Sequence, residues 1–236
     1  MKNLVNTGIP GLNEMLGGGL PEGSITVISG PPGIGKTAIA MQYIHSGIAR
    51  DEPGIFLSIE NNIDDVIDYA GNFGWDFRRY EEEKKLKILD RSIFEEADME
   101  LGLDFGLVKD MMEALKPKRF VVDSITLFSY IFKDDISRRQ HMLRLIDLLK
   151  VRRYNCTTLM TSEQEENAVN IKYHDWHFLA DGVISLFWSR NNAENERRIW
   201  VPKLKGGNAI SSIRPLKITA KGVEVLYTEI PKIMEV

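Results

Sequence analysis

Eight consecutive residues, Gly30-Pro31-Pro32-Gly33-Ile34-Gly35-Lys36-Thr37, restrict what this chain can fold into more than any other stretch. Their glycines let the backbone curl so that successive N–H groups converge on one concavity. A β-branched run, Ser24–Ser29, precedes them. A helical pattern, Lys36–Ala49, follows, with Ala40, Tyr43, Ile44 and Ile48 on one stripe. A strand that turns through such a loop into a helix N-terminus offers aligned amides and partial positive charge to an anion. The spacing is G-x-x-x-x-G-K-T, in which the lysine reaches the β- and γ-phosphates of a nucleotide and the threonine hydroxyl ligates Mg²⁺. The sequence thus predicts a phosphate cradle made by Gly30, Pro31, Pro32, Gly33, Ile34, Gly35, Lys36, Thr37 and Ala38.

Such a loop needs a sheet behind it, and the rest of the chain supplies one. Near-continuous apolar runs at Ser24–Ser29, Gly54–Ile59, Leu86–Asp90, Arg119–Asp123 and Asn155–Thr161 read as strands buried on both faces, hence as a mostly parallel sheet. Helical patterns alternate with them over Lys36–Ala49, Asn62–Phe73, Leu107–Leu115 and Ile136–Val151, the second opening with Asn62 as its N-cap. After Asp181 the rhythm changes to three successive strands, Gly182–Arg190, Arg197–Lys205 and Pro215–Leu226, which predicts an antiparallel extension of the sheet. The acidic stretch Arg91–Asp104 reads as a loop. With 236 residues, 43% of them apolar, the chain can fill one core, and residues 1–236 are expected to form a single α/β domain.

Phosphoryl transfer also needs a carboxylate near the metal and a group that positions the attacking water. Parallel strands deliver such groups from their carboxyl ends. Asp123 closes the run Arg119-Phe-Val-Val-Asp, where an Mg²⁺ partner is expected, and Glu60 closes Ile55-Phe-Leu-Ser-Ile-Glu, where a catalytic base is expected beside Lys36. Either acid could instead only cap the helix that follows it. Thr161-Ser162-Glu163 closes the fifth strand at the same edge. Its polar atoms could sense a γ-phosphate or merely end a strand. Lys203 and Lys205 alternate on a strand, so both face one side. They could meet an anion there or protect an exposed strand edge.

Other residues point away from alternative chemistries. His174-x-x-His177 has metal-pair spacing, but no cysteine or further histidine lies near it in sequence, and zinc binding is not expected. His45 and His141 fall within helices as surface or packing residues. The one cysteine, Cys156, excludes an internal disulfide framework and reads as a buried hydrophobe. A net charge of −4 gives no whole-molecule attraction to nucleic acid or anionic lipid. No apolar run is long enough to cross a bilayer, and the first residues lack a secretory core, so a cytoplasmic protein is expected.

Several further motifs carry a family resemblance across nearly the whole chain. They are Thr7-Gly-Ile-Pro-Gly-Leu and Gly17-Gly-Gly-Leu-Pro-Glu-Gly before the cradle, Phe73-Gly-Trp-Asp, Val121-Val-Asp-Ser, Ala180-Asp-Gly-Val-Ile, and Lys203-Leu-Lys-Gly. In this order they resemble the KaiC-like ATPases of the RecA/RadA superfamily. The resemblance implies a RecA-like P-loop core, ATP with Mg²⁺, and a homo-oligomeric ring, such as a hexamer, with nucleotide between subunits. It implies the roles given above for Lys36, Thr37, Asp123 and Glu60, and has Lys203 and Lys205 reach a neighbour's γ-phosphate. Four departures stand out. KaiC has two such domains where this chain has one. Many relatives carry Glu-Glu where this chain has Glu60-Asn61. The usual arginine is Lys205, which lacks the planar fork of guanidinium. The phosphoacceptor pair of the clock protein's second domain falls at His177-Phe178, neither of which takes that phosphate.

The leading expectation is an ATP-binding, slowly hydrolysing KaiC-like regulator or assembly ATPase. A second is a RadA paralogue with single-strand-binding loops within Glu163–His177. The aromatics Tyr173, Trp176 and Phe178 lie in or just beyond that span, yet Lys172 is its only Lys or Arg, against Glu163, Glu165, Glu166 and Asp175, which ranks nucleic acid second. A third is a switch that binds ATP without hydrolysing it, to which Asn61 and Lys205 lend weight.

Overall fold

The computed structural model of the protein describes residues 3–90, 92, 105–127, 134–150, 154–164, 174–191 and 194–228. The segment expected as an acidic loop, Arg91–Asp104, lies outside them apart from Ser92. So do residues 165–173, the middle of the span singled out for single-stranded nucleic acid.

The five strands expected to be parallel are β3 (Ile25–Gly30), β4 (Gly54–Ser58), β5 (Leu86–Leu89), β6 (Arg119–Asp123) and β7 (Thr157–Glu163). They follow two short strands, β1 (Leu4–Val5) and β2 (Leu20–Pro21), which pair with each other, with α1 (Leu12–Met15) between them. The later part of the chain holds one strand more than expected: β8 (Gly182–Asn191), β9 (Glu194–Leu204), β10 (Arg214–Thr219) and β11 (Gly222–Val225). The run read as one strand, Pro215–Leu226, is a hairpin, because Ala220, Lys221 and the left-handed Gly222 (φ 120°) reverse the chain there. The nine long strands form one sheet in the order β11-β10-β9-β8-β3-β7-β6-β4-β5. Pairing is parallel from β8 through β3, β7, β6 and β4 to β5, and antiparallel from β8 outward to β11.

The helices are α2 (Lys36–Ile48), α3 (Ile63–Gly71), α4 (Phe77–Glu82), α5 (Phe105–Leu115), α6 (Asp135–Leu149) and α7 (Asp175–Leu179). Asn62 caps α3 as expected, its Oδ1 accepting from Asp65 N at 2.9 Å. The sequence reading missed α4, whose six residues, mostly polar, carry no apolar stripe, although Asp76 caps it by accepting from Arg79 N at 3.0 Å. α7 also begins where the second expectation has single-strand-binding loops, within Glu163–His177.

The core lies on both faces of the sheet. Strand β3 alternates between them: Ile28 packs under α2 with Ile39, Tyr43 and Ile44, while Ile25 and Val27 join Phe120, Leu145 and Trp176 on the other side. Two polar staples tie distant segments to this frame. The fully buried Arg119 donates through Nε to Glu52 Oε2 at 2.7 Å, through Nη1 to Tyr43 O at 2.7 Å and through Nη2 to Asn6 O at 2.9 Å. On α2, Gln42 Nε2 donates to Gly8 O and Val223 O, both at 3.0 Å, and Gln42 Oε1 accepts from Val223 N at 2.6 Å.

Candidate functional site

The loop at Gly30–Thr37 sits at the carboxyl end of the middle strand, as its sequence required. Gly30 has no room for a side chain, since a Cβ there would lie 2.6 Å from Leu186 O on β8. Gly35 turns the chain into α2 at φ 113°, a left-handed conformation open to glycine. No side chain caps α2, so its first-turn amides face the loop. Within the loop Pro32 and Gly33 are exposed, Pro31 and Ile34 are buried, and Thr37 and Ala38 are half-buried at the start of the helix.

Lys36 is buried and folds back along its own loop, its Nζ donating to Gly30 O at 2.9 Å and Pro31 O at 3.0 Å. Burial lowers its pKa, against the opposing pull of three carboxylates, Glu163, Asp123 and Glu60. The adjacent hydroxyl, Thr37 Oγ1, donates to Asp123 Oδ2 at 2.9 Å. Asp123 ends β6, nearly fully buried, and its other oxygen accepts from Thr161 Oγ1 on β7. Burial raises the Asp123 pKa, and the Thr161 and Thr37 hydroxyls work against that rise.

Glu60 lies two residues beyond the end of β4, exposed, in a turn closed by Asn61 N donating to Ser58 Oγ at 3.1 Å and Ser58 Oγ donating to Asn61 O at 2.8 Å. Partial burial of its carboxyl raises its pKa, and a hydrogen bond with Ser124 offsets part of the rise. Glu163 stands level with Gly30 in the β3–β7 register, and its N donates to Thr126 Oγ1 at 2.7 Å. Gln164 N donates to Gly30 O at 3.1 Å.

Four strands and one loop therefore bring Lys36, Thr37, Asp123, Thr161, Glu163 and Glu60 to one edge. The donor set at its centre, a hydroxyl and a carboxylate on hard oxygens beside a curl of amides, suits Mg²⁺, which takes one or two protein oxygens and fills its shell from phosphate and water. Among the described residues no group of three or more His, Cys, Asp or Glu could hold a metal ion on its own.

Lys203 and Lys205 do not join this edge. Lys203 is level with Val183 on β8 and, through it, with Val27 on β3. That is three residues, about 10 Å, short of Gly30 along the strand and two strands aside. Its Nζ donates to His177 O at 2.9 Å and Phe178 O at 3.1 Å, at the end of α7. Lys205 follows the strand in a turn, still farther from Gly30, its N bonded to Asp181 O at 2.8 Å. Neither lysine serves its own chain's cradle.

Two contacts escaped the sequence reading. His177 Nε2 lies 2.6 Å from Ser29 Oγ, one residue before the loop, and Trp176 Nε1 donates to Ser162 Oγ at 3.0 Å. The histidine spacing that suggests a metal pair arises from helix capping: His177 Nδ1 accepts from His174 N at 2.9 Å. Cys156 is buried just before β7, its pKa pushed up to about 12 by burial. Among the described residues no helix is long and apolar enough to cross a membrane.

Comparison with known proteins places this geometry in a lineage. The family model described as "ATPase: KaiC" matches residues 5–230. The circadian clock oscillator protein KaiC of Prochlorococcus marinus is 35% identical over 229 residues, covering 93% of this chain and 45% of that protein, so the chain spans less than half of that relative's length. UPF0273 proteins match end to end: one from Methanopyrus kandleri is 31% identical over 94% of this chain and 91% of its own, and one from Thermotoga maritima 33% identical over 95% and 96%. The crystal structure of a KaiC-like protein from Pyrococcus horikoshii superposes with a TM-score of 0.83 at 30% identity, covering 95% of this chain and 99% of that one.

Proposed function

Since the chain belongs to the KaiC family of ATPases, we propose that it is a single-domain, magnesium-dependent ATPase that acts as an ATP-controlled regulator or assembly factor. The observation that carries this reading is the 2.9 Å contact between the half-buried Thr37 and the buried Asp123 beside the buried Lys36.

Each residue then has a task. The amides of Gly33 through Ala38 receive phosphate oxygens, and Lys36 leaves the Gly30 and Pro31 carbonyls for the β- and γ-phosphates. Thr37 and Asp123 would hold Mg²⁺, with Thr161 fixing the carboxylate. The ion, when bound, offsets phosphate charge and polarises the terminal phosphoryl group. Glu60, its pKa raised by partial burial, orients and deprotonates the attacking water from the β4–α3 turn. Water adds to the γ-phosphorus as its bond to the bridging oxygen breaks, giving ADP and phosphate. Lys203 and Lys205, turned away from their own cradle, complete the site of a neighbouring subunit in a homo-oligomeric ring.

Calorimetry and a phosphate-release assay test the assignment. Wild type is expected to bind Mg-ATP, and Lys36→Ala to lose the heat of binding. Glu60→Gln should bind within about threefold of wild type yet turn over about a hundredfold more slowly, the size of a general-base contribution. Absence of binding by wild type would remove the proposal. Wild-type turnover in Glu60→Gln would remove the role of that residue alone.

A further inference from the structure

Helix α7 has five residues, yet two of its side chains end on the strands that flank the cradle. His177 meets Ser29 Oγ at 2.6 Å and Trp176 donates to Ser162 Oγ at 3.0 Å. Ser29 and Ser162 are partners in the parallel register, each one residue before the end of its strand. Because His177 Nδ1 accepts from His174 N, the neutral ring carries its proton on Nε2 and donates it to Ser29. From the opposite side Lys203 Nζ holds the carbonyls of His177 and Phe178. One contiguous path therefore runs from the lysine, through one turn of helix and one imidazole, to the residue that precedes Gly30.

The path matters because Lys203 has two competing tasks, if it serves a neighbour's γ-phosphate as proposed above. The α7 carbonyls take two of its three N–H donors, so an ammonium that gives a phosphate on another subunit more than one donor must release at least one carbonyl. Resting on that reading, we propose that α7 couples nucleotide sites around the oligomer, with His177 as a positioning residue for the cradle. When nucleotide in one subunit draws Lys203 of the next away from α7, that subunit loses the brace on its His177 and Ser29, and its own cradle binds less well. The differential contact such coupling requires is the lysine's choice between backbone carbonyls and phosphate.

The test is equilibrium binding of a fluorescent ATP analogue with magnesium, with mass measured in the same samples by light scattering. Wild type is expected to assemble and to bind with a Hill coefficient below 1. Ser29→Ala, which removes one hydroxyl, and His177→Leu are expected to bring the coefficient to about 1 and to weaken mean affinity about five- to tenfold, the effect of one hydrogen bond. His177→Gln, whose amide can donate where Nε2–H did, is expected to restore most of the wild-type isotherm. A histidine that only supported the fold would change stability and leave the isotherm's shape alone. A wild-type coefficient of 1, or one below 1 that survives in both Ser29→Ala and His177→Leu, overturns coupling through α7 even where assembly occurs. Absence of assembly overturns the shared-site reading and this proposal together.

Discussion

Asp123 is held by two threonine hydroxyls, with the Lys36 ammonium acting on it through space, a costly arrangement for a carboxylate so deeply buried. Both hydroxyls donate to it, and neither cancels the effect of burial on its pKa. A site built this way gains most from a positive ion and a phosphate brought together. His177 shows the same economy in a base. Burial keeps its ring neutral, with a pKa pushed down from the usual 6.5 to about 4. Below pH 6.5 the unfolded chain takes up a proton that the folded chain refuses until about pH 4, so this residue's contribution to stability is complete above 6.5 and drains away as the pH falls through that window. Over the whole interval the loss is about 3 kcal/mol. Urea titrations at pH 7 and pH 5 are expected to show a smaller difference in His177→Gln than in wild type. Equal differences would mean that the ring is not held neutral by the fold.

At the scale of elements, Gln42 joins three pieces far apart in sequence: the Gly8 loop, α2 and the β10–β11 hairpin. Gln42→Leu would leave Val223 N and O without partners, so a loss of about 2–4 kcal/mol is expected. Hydrogen exchange should quicken over Gly222–Val225 before the rest of the sheet. Uniform exchange in the variant would show that the hairpin is held by other contacts. No spacing in the sequence announces this staple, and the same holds for the Ser29–His177 bond, which joins residues 148 positions apart. What the sequence did announce was local or periodic: the curl at Gly30–Lys36, the apolar runs of β3 to β7, the acid that ends β6. The placement of Asp123 and Glu60 beside the cradle was legible because parallel strands deliver their ends to one edge. Thr161 reads from sequence as a γ-phosphate sensor or a polar strand end, and its bond to Asp123 depends on a register that no sequence pattern displays. The final hairpin was missed because Pro215–Leu226 alternates apolar and polar residues on both sides of its turn, Leu216 and Ile218 before it and Val223 and Val225 after it.

At the scale of the whole molecule, the lysines and the cradle of one chain lie on different parts of the sheet, so the proposed ring would have to bring the lysines of one copy to the cradle of another. Light scattering is expected to show assembly of wild type driven by Mg-ATP and its loss in a Lys203→Ala, Lys205→Ala double variant. A monomer under every condition would confine the lysines to bracing α7 and the sheet edge. The sheet order carries one more consequence. The strand that hosts the cradle is made long before the hairpin that packs against α2, and Val225 N closes back on Pro10 O at 2.8 Å. During synthesis the apolar flank of α2 therefore stays uncovered until β8, β9 and the hairpin have followed it out of the ribosome. The chain is most exposed to chaperones and to aggregation over that interval, and variants that lack β11 should accumulate as insoluble protein.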